Sequence, residues 1–326
     1  MPKAIVLTEP GGPEKLVWKE IPMPEPGKGE LLIRQKAVGL NFIDIYHRTG
    51  FYKLPSYPAI IGMEGVGIVE KTGPECQYFK IGDRVAYGVG PIGAYAELRP
   101  IPELKVVKLP DVIATEIAAA SMLKGLTAHF LLRRTFMVAE NHTILVHAAA
   151  GGVGLLLCQW AKQLGAKVIG TVGSEEKAAL AKENGCDFPI LYKKENVVSR
   201  VKEITNGQGV HAVYDSVGKD TYTISLDCLM KFGIFISYGQ ASGPLPLIDS
   251  QELMRRGSLF FTRPTLMDYK ADHQEYLMGC AELFDLIIKG GIKVNVGQSY
   301  YLSDAASAHR DLEAGKTKGS TILVVG

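Results

Sequence analysis

The segment that most constrains this chain is a run of small residues at 148–154, AAAGGVG. It follows an apolar segment at 143–147 that predicts a strand, and it opens a segment at 153–164 that predicts a helix. Small residues at positions 148, 151 and 154 let the backbone approach a pyrophosphate, and the amides of a helix N-terminus supply donors for it. A Gly-rich turn in this setting predicts a dinucleotide-binding site.

Beyond residue 143 the chain alternates between short apolar segments and helical segments. Strands are predicted at 143–147, 167–171, 188–192, 210–215, 233–237 and 259–263, and helices at 153–164, 175–184, 197–205, 222–229 and 251–256. Such alternation predicts an α/β fold with a doubly wound parallel sheet.

The first 110 residues have a different sequence pattern, with short segments rich in β-branched residues separated by Gly and Pro. Strands are predicted there at 3–7, 30–38, 66–71, 83–87 and 94–98, followed by helical segments at 113–121 and 123–134. This pattern predicts an irregular, partly closed antiparallel β-domain. The last part, with a long helix at 274–289, is expected to return to that domain, which makes the domain discontinuous in sequence.

The end of the second predicted strand decides between NAD and NADP. An NAD site places an Asp or Glu there to bind the ribose 2′-hydroxyl. This chain has Gly173 and Ser174 at that point, and Lys177 follows one turn later. A hydroxyl and a cation suit a 2′-phosphate, so we expect NADP. The flanking Glu175 and Glu176 oppose that interpretation, and a solvated charge on a helix face is the alternative for Lys177.

Charge and composition exclude several other classes. The chain has 36 basic and 34 acidic residues, a net charge of +2, and no basic block, which argues against nucleic-acid binding as a main role. No apolar stretch is long enough for a membrane span or a secretory signal. The five Cys are far apart and form no C-x-x-C pair, so we expect buried thiols and a cytoplasmic protein. The seven His lack metal-ligand spacing, so each is expected at the surface or packed in a core.

Several motifs give the chain a resemblance to a known family. The segments 39–44 (GLNFID), 62–67 (GMEGVG), 82–85 (GDRV), 123–128 (LKGLTA) and 148–154 resemble medium-chain dehydrogenases/reductases. Residues 147–154 and 214–218 (YDSVG) are similar to the quinone oxidoreductase, or ζ-crystallin-like, branch. The resemblance covers the whole chain. It implies a Rossmann domain at 125–265 inserted into a GroES-like, mainly β catalytic domain at 1–124 and 266–326.

Departures from the zinc-dependent members of that superfamily indicate the reaction. Those members have a Cys near the position of Asn41, a His at that of Met63, and a four-Cys lobe after the region of residue 90. Asn41 and Met63 are not zinc ligands, so we predict no metal. Without a Lewis acid, the acceptor must already be electrophilic, as a quinone or a conjugated enone is.

The resemblance also implies roles for individual residues. It places Asn41, Tyr46 and Tyr52 in the catalytic cleft, although core packing is the alternative for the two tyrosines. The implied cofactor-binding residues are Phe42, Thr127, Gly151, Gly152, Val153, Gly154, Gly173, Ser174, Lys177, Tyr192, Ser216, Tyr238, Gly239, Thr262, Arg263 and Lys316.

Together these features predict a zinc-independent, NADPH-dependent reductase of quinones, with the one- or two-electron route undetermined. An enoyl or 2-alkenal reductase of the same superfamily is the second interpretation, and a nucleotide-bound structural or RNA-associated protein is the third. We expect a homodimer, because the apolar strand at 258–263 is a sheet edge that tends to pair.

Overall fold

The computed structural model describes all residues, 1–326, which form two compact units. Unit 1 comprises Met1–Leu126, Lys270–Lys289 and Val294–Gly326, and unit 2 comprises Thr127–Tyr269 and Gly290–Lys293. The domain boundaries after residues 124 and 265 stay a prediction.

The elements are numbered in chain order. The strands are β1 (Lys3–Leu7), β2 (Leu16–Glu20), β3 (Glu30–Leu40), β4 (Glu64–Thr72), β5 (Arg84–Tyr87), β6 (Leu98–Pro102), β7 (Val107–Lys108), β8 (Thr143–Val146), β9 (Lys167–Val172), β10 (Phe188–Leu191), β11 (Val210–Asp215), β12 (Leu229–Ser237), β13 (Phe260–Thr262), β14 (Val296–Tyr301) and β15 (Ser320–Val324). The α-helices are α1 (Phe42–Thr49), α2 (Thr115–Ala119), α3 (Met122–Phe130), α4 (Gly152–Gln163), α5 (Glu175–Glu183), α6 (Val197–Ile204), α7 (Tyr222–Cys228), α8 (Ser250–Arg255), α9 (Leu266–Tyr269), α10 (His273–Ile288) and α11 (Ala305–Glu313). Short 3₁₀ turns lie at Pro13–Lys15, Glu103–Lys105 and Leu302–Asp304, and a π turn at Leu131–Thr135. None of these helices has the length and apolar character needed to cross a membrane.

Unit 2 is built on a six-stranded sheet of order β10-β9-β8-β11-β12-β13, and all neighbouring strands are parallel. Counted from β8, this is the order 3-2-1-4-5-6 of doubly wound dinucleotide-binding sheets. Buried aliphatic and aromatic side chains such as Leu145, Val213 and Phe235 form its core. The predicted parallel sheet is confirmed, and its order reverses between β8 and β11, where such folds bind ligands.

Unit 1 is mainly β, as predicted. Its larger sheet has the order β14-β15-β3-β4-β5-β7, with β6 also paired to β3. The pairs are antiparallel except for β14 with β15. Because β15 pairs with β3, strands from both ends of the sequence share one sheet. The hairpin of β1 and β2 forms a separate two-stranded sheet.

The strand predicted at 94–98 is wrong. Only Leu98 belongs to a strand, because the backbone before it turns at Gly93, whose φ is 133°. The amides of Ala94 and Tyr95 donate instead to the carbonyls of Gly62 and Ile61, at 3.1 and 3.0 Å. Strands β2 and β7 and helices α1 and α9 have no counterpart among the predicted elements.

Candidate active site

The loop between β8 and α4 is shaped by close backbone contacts. Ala148 adopts a left-handed conformation with φ 53°, and its carbonyl accepts the Gly151 amide at 2.9 Å. A Cβ on Gly154 would collide with that carbonyl and with the Ala149 backbone, so only Gly fits there. The first amides of α4, on Gly152, Val153 and Gly154, have no acceptor within the helix. They form the positive end of the helix dipole, where anions bind.

Four residues are assigned to a 2′-phosphate, Tyr192 among them by the resemblance, and they lie after the neighbouring strands β9 and β10. Ser174 caps α5, and its Oγ accepts the Lys177 amide at 3.3 Å. A Cβ on Gly173 would lie 3.0 Å from the hydroxyl of Tyr192, so the glycine lets this phenol approach the strand end. Capping engages only an Oγ lone pair, so the Ser174 hydroxyl proton remains available to a ligand.

The resemblance assigns Tyr238, Gly239, Thr262 and Arg263 to the nicotinamide half of the cofactor, and the first two follow β12 and contact the loop after β11. The amides of Tyr238 and Gly239 donate to the Asp215 carbonyl at 2.8 and 3.3 Å. A Cβ on Gly239 would lie 2.8 Å from the carbonyl oxygen of Ser216, so the two loops touch through backbone.

The candidate cofactor residues of unit 2 follow successive strands. They are Gly151–Gly154 after β8, Gly173, Ser174 and Lys177 after β9, Tyr192 after β10, Ser216 after β11, Tyr238 and Gly239 after β12, and Thr262 and Arg263 at the end of β13. Because all six strands are parallel, these residues share one edge of the sheet.

Three candidates lie elsewhere. Thr127 is buried on α3, and Phe42 and Lys316 belong to unit 1. Lys316 is exposed, and its ammonium lies 3.4 Å from the carboxylate of Asp311.

Asn41 lies at the N-cap of α1 beside a buried ion pair. Its Nδ2 donates to Oε2 of Glu64 at 2.8 Å, and the ammonium of Lys124 donates to the same oxygen at 3.0 Å. The Leu123 amide donates to Oε1 at 2.8 Å, so neutral and charged donors together satisfy a carboxylate that has no solvent exposure. In the sequence, Glu64 and Lys124 belong to two separate motifs, and no spacing rule joins them.

The candidate tyrosines belong to an aromatic cluster. The ring centroid of Tyr46 lies 6.0 Å from that of Phe42, 5.4 Å from Phe51 and 5.0 Å from Tyr52. Tyr46 is nearly buried, while Phe51 and Tyr52 stack at 5.4 Å and are more exposed. The cluster brings Phe42, Tyr46 and Tyr52 together and adds Phe51, which sequence reasoning missed.

A second buried carboxyl group, Asp44, lies in the first turn of α1. Its Oδ2 accepts hydrogen bonds from the backbone amide of Asn41 at 2.9 Å and from the Tyr95 hydroxyl at 3.1 Å, whereas Oδ1 has no partner. Burial raises the pKa of Asp44 to about 7. Nε2 of His309 lies 3.0 Å from the same hydroxyl, and burial lowers the pKa of His309 to about 3.

No group of three or more His, Cys, Asp or Glu side chains is placed to bind a metal ion. Met63 is buried, and Asn41 is engaged with Glu64. All five Cys are free thiols, and four of them are buried. Among the His residues, His47, His129, His147 and His309 are buried in the interior.

A doubly wound parallel sheet of this order and a mainly β unit define the fold class of medium-chain dehydrogenases/reductases. A family model described as zinc-binding dehydrogenase matches residues 152–276, and one described as alcohol dehydrogenase GroES-like domain matches residues 27–111. The chain is 51% identical to a quinone oxidoreductase of Pseudomonas aeruginosa, over 99% of this chain and 100% of that protein. The chain belongs to the quinone oxidoreductase branch of the medium-chain dehydrogenase/reductase superfamily.

Two further relatives bear on the chemistry. The crystal structure of Escherichia coli quinone oxidoreductase complexed with NADPH is 46% identical, with a TM-score of 0.97 over 99% of each chain. A 2-haloacrylate reductase of Burkholderia sp is 41% identical over 99% of each chain.

Proposed function

We propose that this chain is an NADPH-dependent quinone reductase. The observation that carries the proposal is the single sheet edge of unit 2, where residues that suit a pyrophosphate, a 2′-phosphate and a nicotinamide follow successive strands. Relatives named quinone oxidoreductase at 46–51% identity over nearly the whole chain support the substrate class.

The residues present fit NADP. The open amides of Gly152 and Val153 suit the pyrophosphate, and the absent side chain of Gly154 lets the loop close behind it. The Ser174 hydroxyl, the Lys177 ammonium and the Tyr192 phenol suit the 2′-phosphate. Glu175 forms an ion pair with Lys194 at 2.8 Å, which reduces the repulsion that one of the two flanking acids would exert on that phosphate.

Unit 1 supplies the candidate residues for the acceptor. When bound, NADPH supplies the reducing electrons for an electron-poor acceptor. We propose that the planar rings of Tyr46 and Tyr52 contact a quinone ring, and that the Asn41 amide orients it. The hydrogen bond from Nδ2 of Asn41 to Glu64 fixes the orientation of the Asn41 side-chain amide, and the ammonium of Lys124 balances the charge of Glu64.

The test is a turnover screen with purified protein and NADPH against benzoquinones, naphthoquinones, 2-alkenals and 2-haloacrylate, and with NADP against simple alcohols. We expect turnover of quinones and none of simple alcohols. Turnover of 2-haloacrylate or alkenals alone would establish the second candidate, which the 41% identity to a 2-haloacrylate reductase favours. Binding of NADPH without turnover of any acceptor would contradict both and favour a structural role.

We also propose that the protein is a homodimer joined through the edge of the unit 2 sheet. β13 pairs only with β12, so its outer edge offers unpaired backbone groups. Exposed apolar side chains lie in the same part of the unit, including Phe260 on β13 itself, Phe232 on β12 and Met254 on α8. Pairing of two such edges across a two-fold axis would cover them.

A further inference from the structure

A buried chain of side-chain hydrogen bonds joins the carboxyl ends of three strands in unit 2. His147 directly follows β8, and its Nδ1 lies 2.9 Å from the Thr171 hydroxyl on β9. Its Nε2 lies 3.1 Å from the hydroxyl of Ser225 on α7, which donates to Oδ2 of Asp215 at the end of β11 at 2.8 Å. His147 is 1% exposed, and Ser225 and Asp215 are 0% exposed, so water does not satisfy these groups.

The Asp215 carboxylate is an acceptor in four hydrogen bonds. Oδ1 accepts the amides of Val217 and Gly218 at 2.7 and 3.0 Å. Oδ2 accepts the hydroxyls of Thr221 and Ser225 at 2.7 and 2.8 Å. Four donors in the absence of water make Asp215 a fixed end point for the chain of hydrogen bonds.

The direction of every hydrogen bond follows from that end point. Ser225 donates its single hydroxyl hydrogen to Asp215 in a hydrogen bond, so its Oγ must accept a hydrogen bond from Nε2–H of His147. Nδ1 of a neutral imidazole then has no hydrogen and accepts the Thr171 hydroxyl. Burial lowers the pKa of His147, which favours the neutral ring that this arrangement requires. The chain of bonds therefore runs from Thr171 through His147 and Ser225 to Asp215, with both ring nitrogens satisfied.

The hydrogen bonds form two branches that meet at His147, one to Thr171 and one through Ser225 to Asp215. Each branch ends beside a different part of the candidate cofactor site. The Thr171 branch fixes β9 two residues before Gly173, where the 2′-phosphate residues begin. The Ser225 branch fixes Asp215, whose carboxylate orders the loop of Val217 and Gly218 and whose carbonyl accepts the amides after β12.

We infer that Thr171, His147 and Ser225 are positioning residues for the nicotinamide cofactor, with separable effects on its two ends. The Thr171 branch sets the affinity for the 2′-phosphate, and the Ser225 branch sets the affinity for the half that NADPH and NADH share. This inference rests on the proposed function. An apolar side chain of similar shape would fill the same space at Thr171, so a Val there removes the hydrogen bond to His147 and keeps the packing.

The experiment measures the Kd of NADPH and of NADH by cofactor fluorescence, together with urea unfolding, for four variants. Thr171→Val keeps the shape and removes the donor, and Thr171→Ser keeps the donor. Ser225→Ala breaks the second branch. Ser320→Ala is the matched control, since its buried hydroxyl donates to the Ala120 carbonyl at 2.8 Å in unit 1.

We expect Thr171→Val to raise the Kd of NADPH about three- to tenfold, which corresponds to about 0.6–1.4 kcal/mol, and to change that of NADH less than twofold. Thr171→Ser, which keeps the donor, should bind NADPH with the wild-type Kd. Ser225→Ala should raise both Kd values by the same factor of about five. Ser320→Ala should lower stability and leave both Kd values unchanged. If Ser225→Ala does not fold, His147→Asn tests the same branch, because it keeps an acceptor near Thr171 and lacks the donor to Ser225.

Two results would overturn the inference. One is a loss of stability in Thr171→Val and Ser225→Ala with unchanged Kd values, which would mean that these hydrogen bonds stabilise the fold and do not affect cofactor binding. The other is an equal rise of both Kd values in Thr171→Val. A wild-type protein that binds neither cofactor would instead refute the proposed function.

Discussion

Replacing Lys177 with Ala should weaken NADPH binding and leave NADH binding nearly unchanged. Lys177 lies in the first turn of α5, half-buried, and its own amide is bound by the Ser174 cap. Of the two acids beside it, Glu175 is paired with Lys194 at 2.8 Å. NADH lacks the 2′-phosphate, so only NADPH presents the group that this ammonium would contact.

The expected magnitude follows from the partial burial of the site. A charge-assisted hydrogen bond from an ammonium to a phosphate is worth about 1–2 kcal/mol where solvent still screens it. Since about 1.4 kcal/mol is a factor of ten, the Kd of NADPH should rise between about fivefold and thirtyfold. Titration of both cofactors into wild type and variant at fixed ionic strength measures it, and the difference should shrink as salt is added.

Lys182→Ala is the matched control for Lys177→Ala. Lys182 is exposed near the other end of α5, so the variant makes the same change of charge in the same helix. It should leave both affinities unchanged. Equal losses for NADPH and NADH in Lys177→Ala would mean that Lys177 acts through the fold. Equal wild-type affinities for the two cofactors would refute the NADP assignment itself.

Four further outcomes are expected. Turnover should survive chelators, and metal analysis should find no stoichiometric zinc, because Asn41 and Met63 do not ligate it. Burial raises the pKa of Asp44 to about 7, so the stability that its neutral form contributes is present at about pH 4 and is lost as the pH rises through 7. In urea unfolding, the free energy of unfolding of Asp44→Asn should therefore fall less than that of wild type between pH 5 and 8. Ala148→Gly should raise the free energy of unfolding by about 0.5–1 kcal/mol, because it relieves a left-handed φ of 53° at an exposed position. Sedimentation at micromolar concentration should give a dimer, and a charge at Phe260 on β13 should shift it to monomer, whereas a monomeric wild type would refute the interface.

The regular part of the fold could be predicted because each strand of unit 2 is short, apolar and bounded by a turn. The predicted elements there lie within a few residues of those observed. In unit 1 the segment at 94–98 has the composition of a strand, but its first amides donate to the distant carbonyls of residues 61 and 62, which hold these residues in a loop. Helix α1 did have a local signal, since Asn41 and Asp44 have the spacing of a capping box.

The parts of the candidate site that depend on backbone conformation could be predicted from the sequence. The parts that depend on contacts between side chains far apart in the sequence could not. Glycine positions near 151–154 and 173 follow from the strand–turn–helix pattern. The contact of Glu64 with Lys124 and Asn41 joins residues 60 and 23 positions apart, so no periodicity in the sequence indicates it. The resemblance supplied Asn41, and only the structure shows what holds its amide.

The physical demands at the carboxyl edge of the unit 2 sheet explain why buried polar groups lie there. A site for a dinucleotide needs open backbone amides at the loops, and those amides cannot also stabilise the loops through hydrogen bonds of their own. At that edge the strand ladder has ended, so the apolar core beneath it does not fix the loops by itself. Buried side-chain donors and acceptors just inside the edge can fix the strand ends and leave the amides open. His147, with one nitrogen toward Thr171 and the other toward Ser225, meets this demand for the strands on both sides of β8. Such a network is stable only when every member is satisfied, so its directionality constrains which substitutions the edge tolerates.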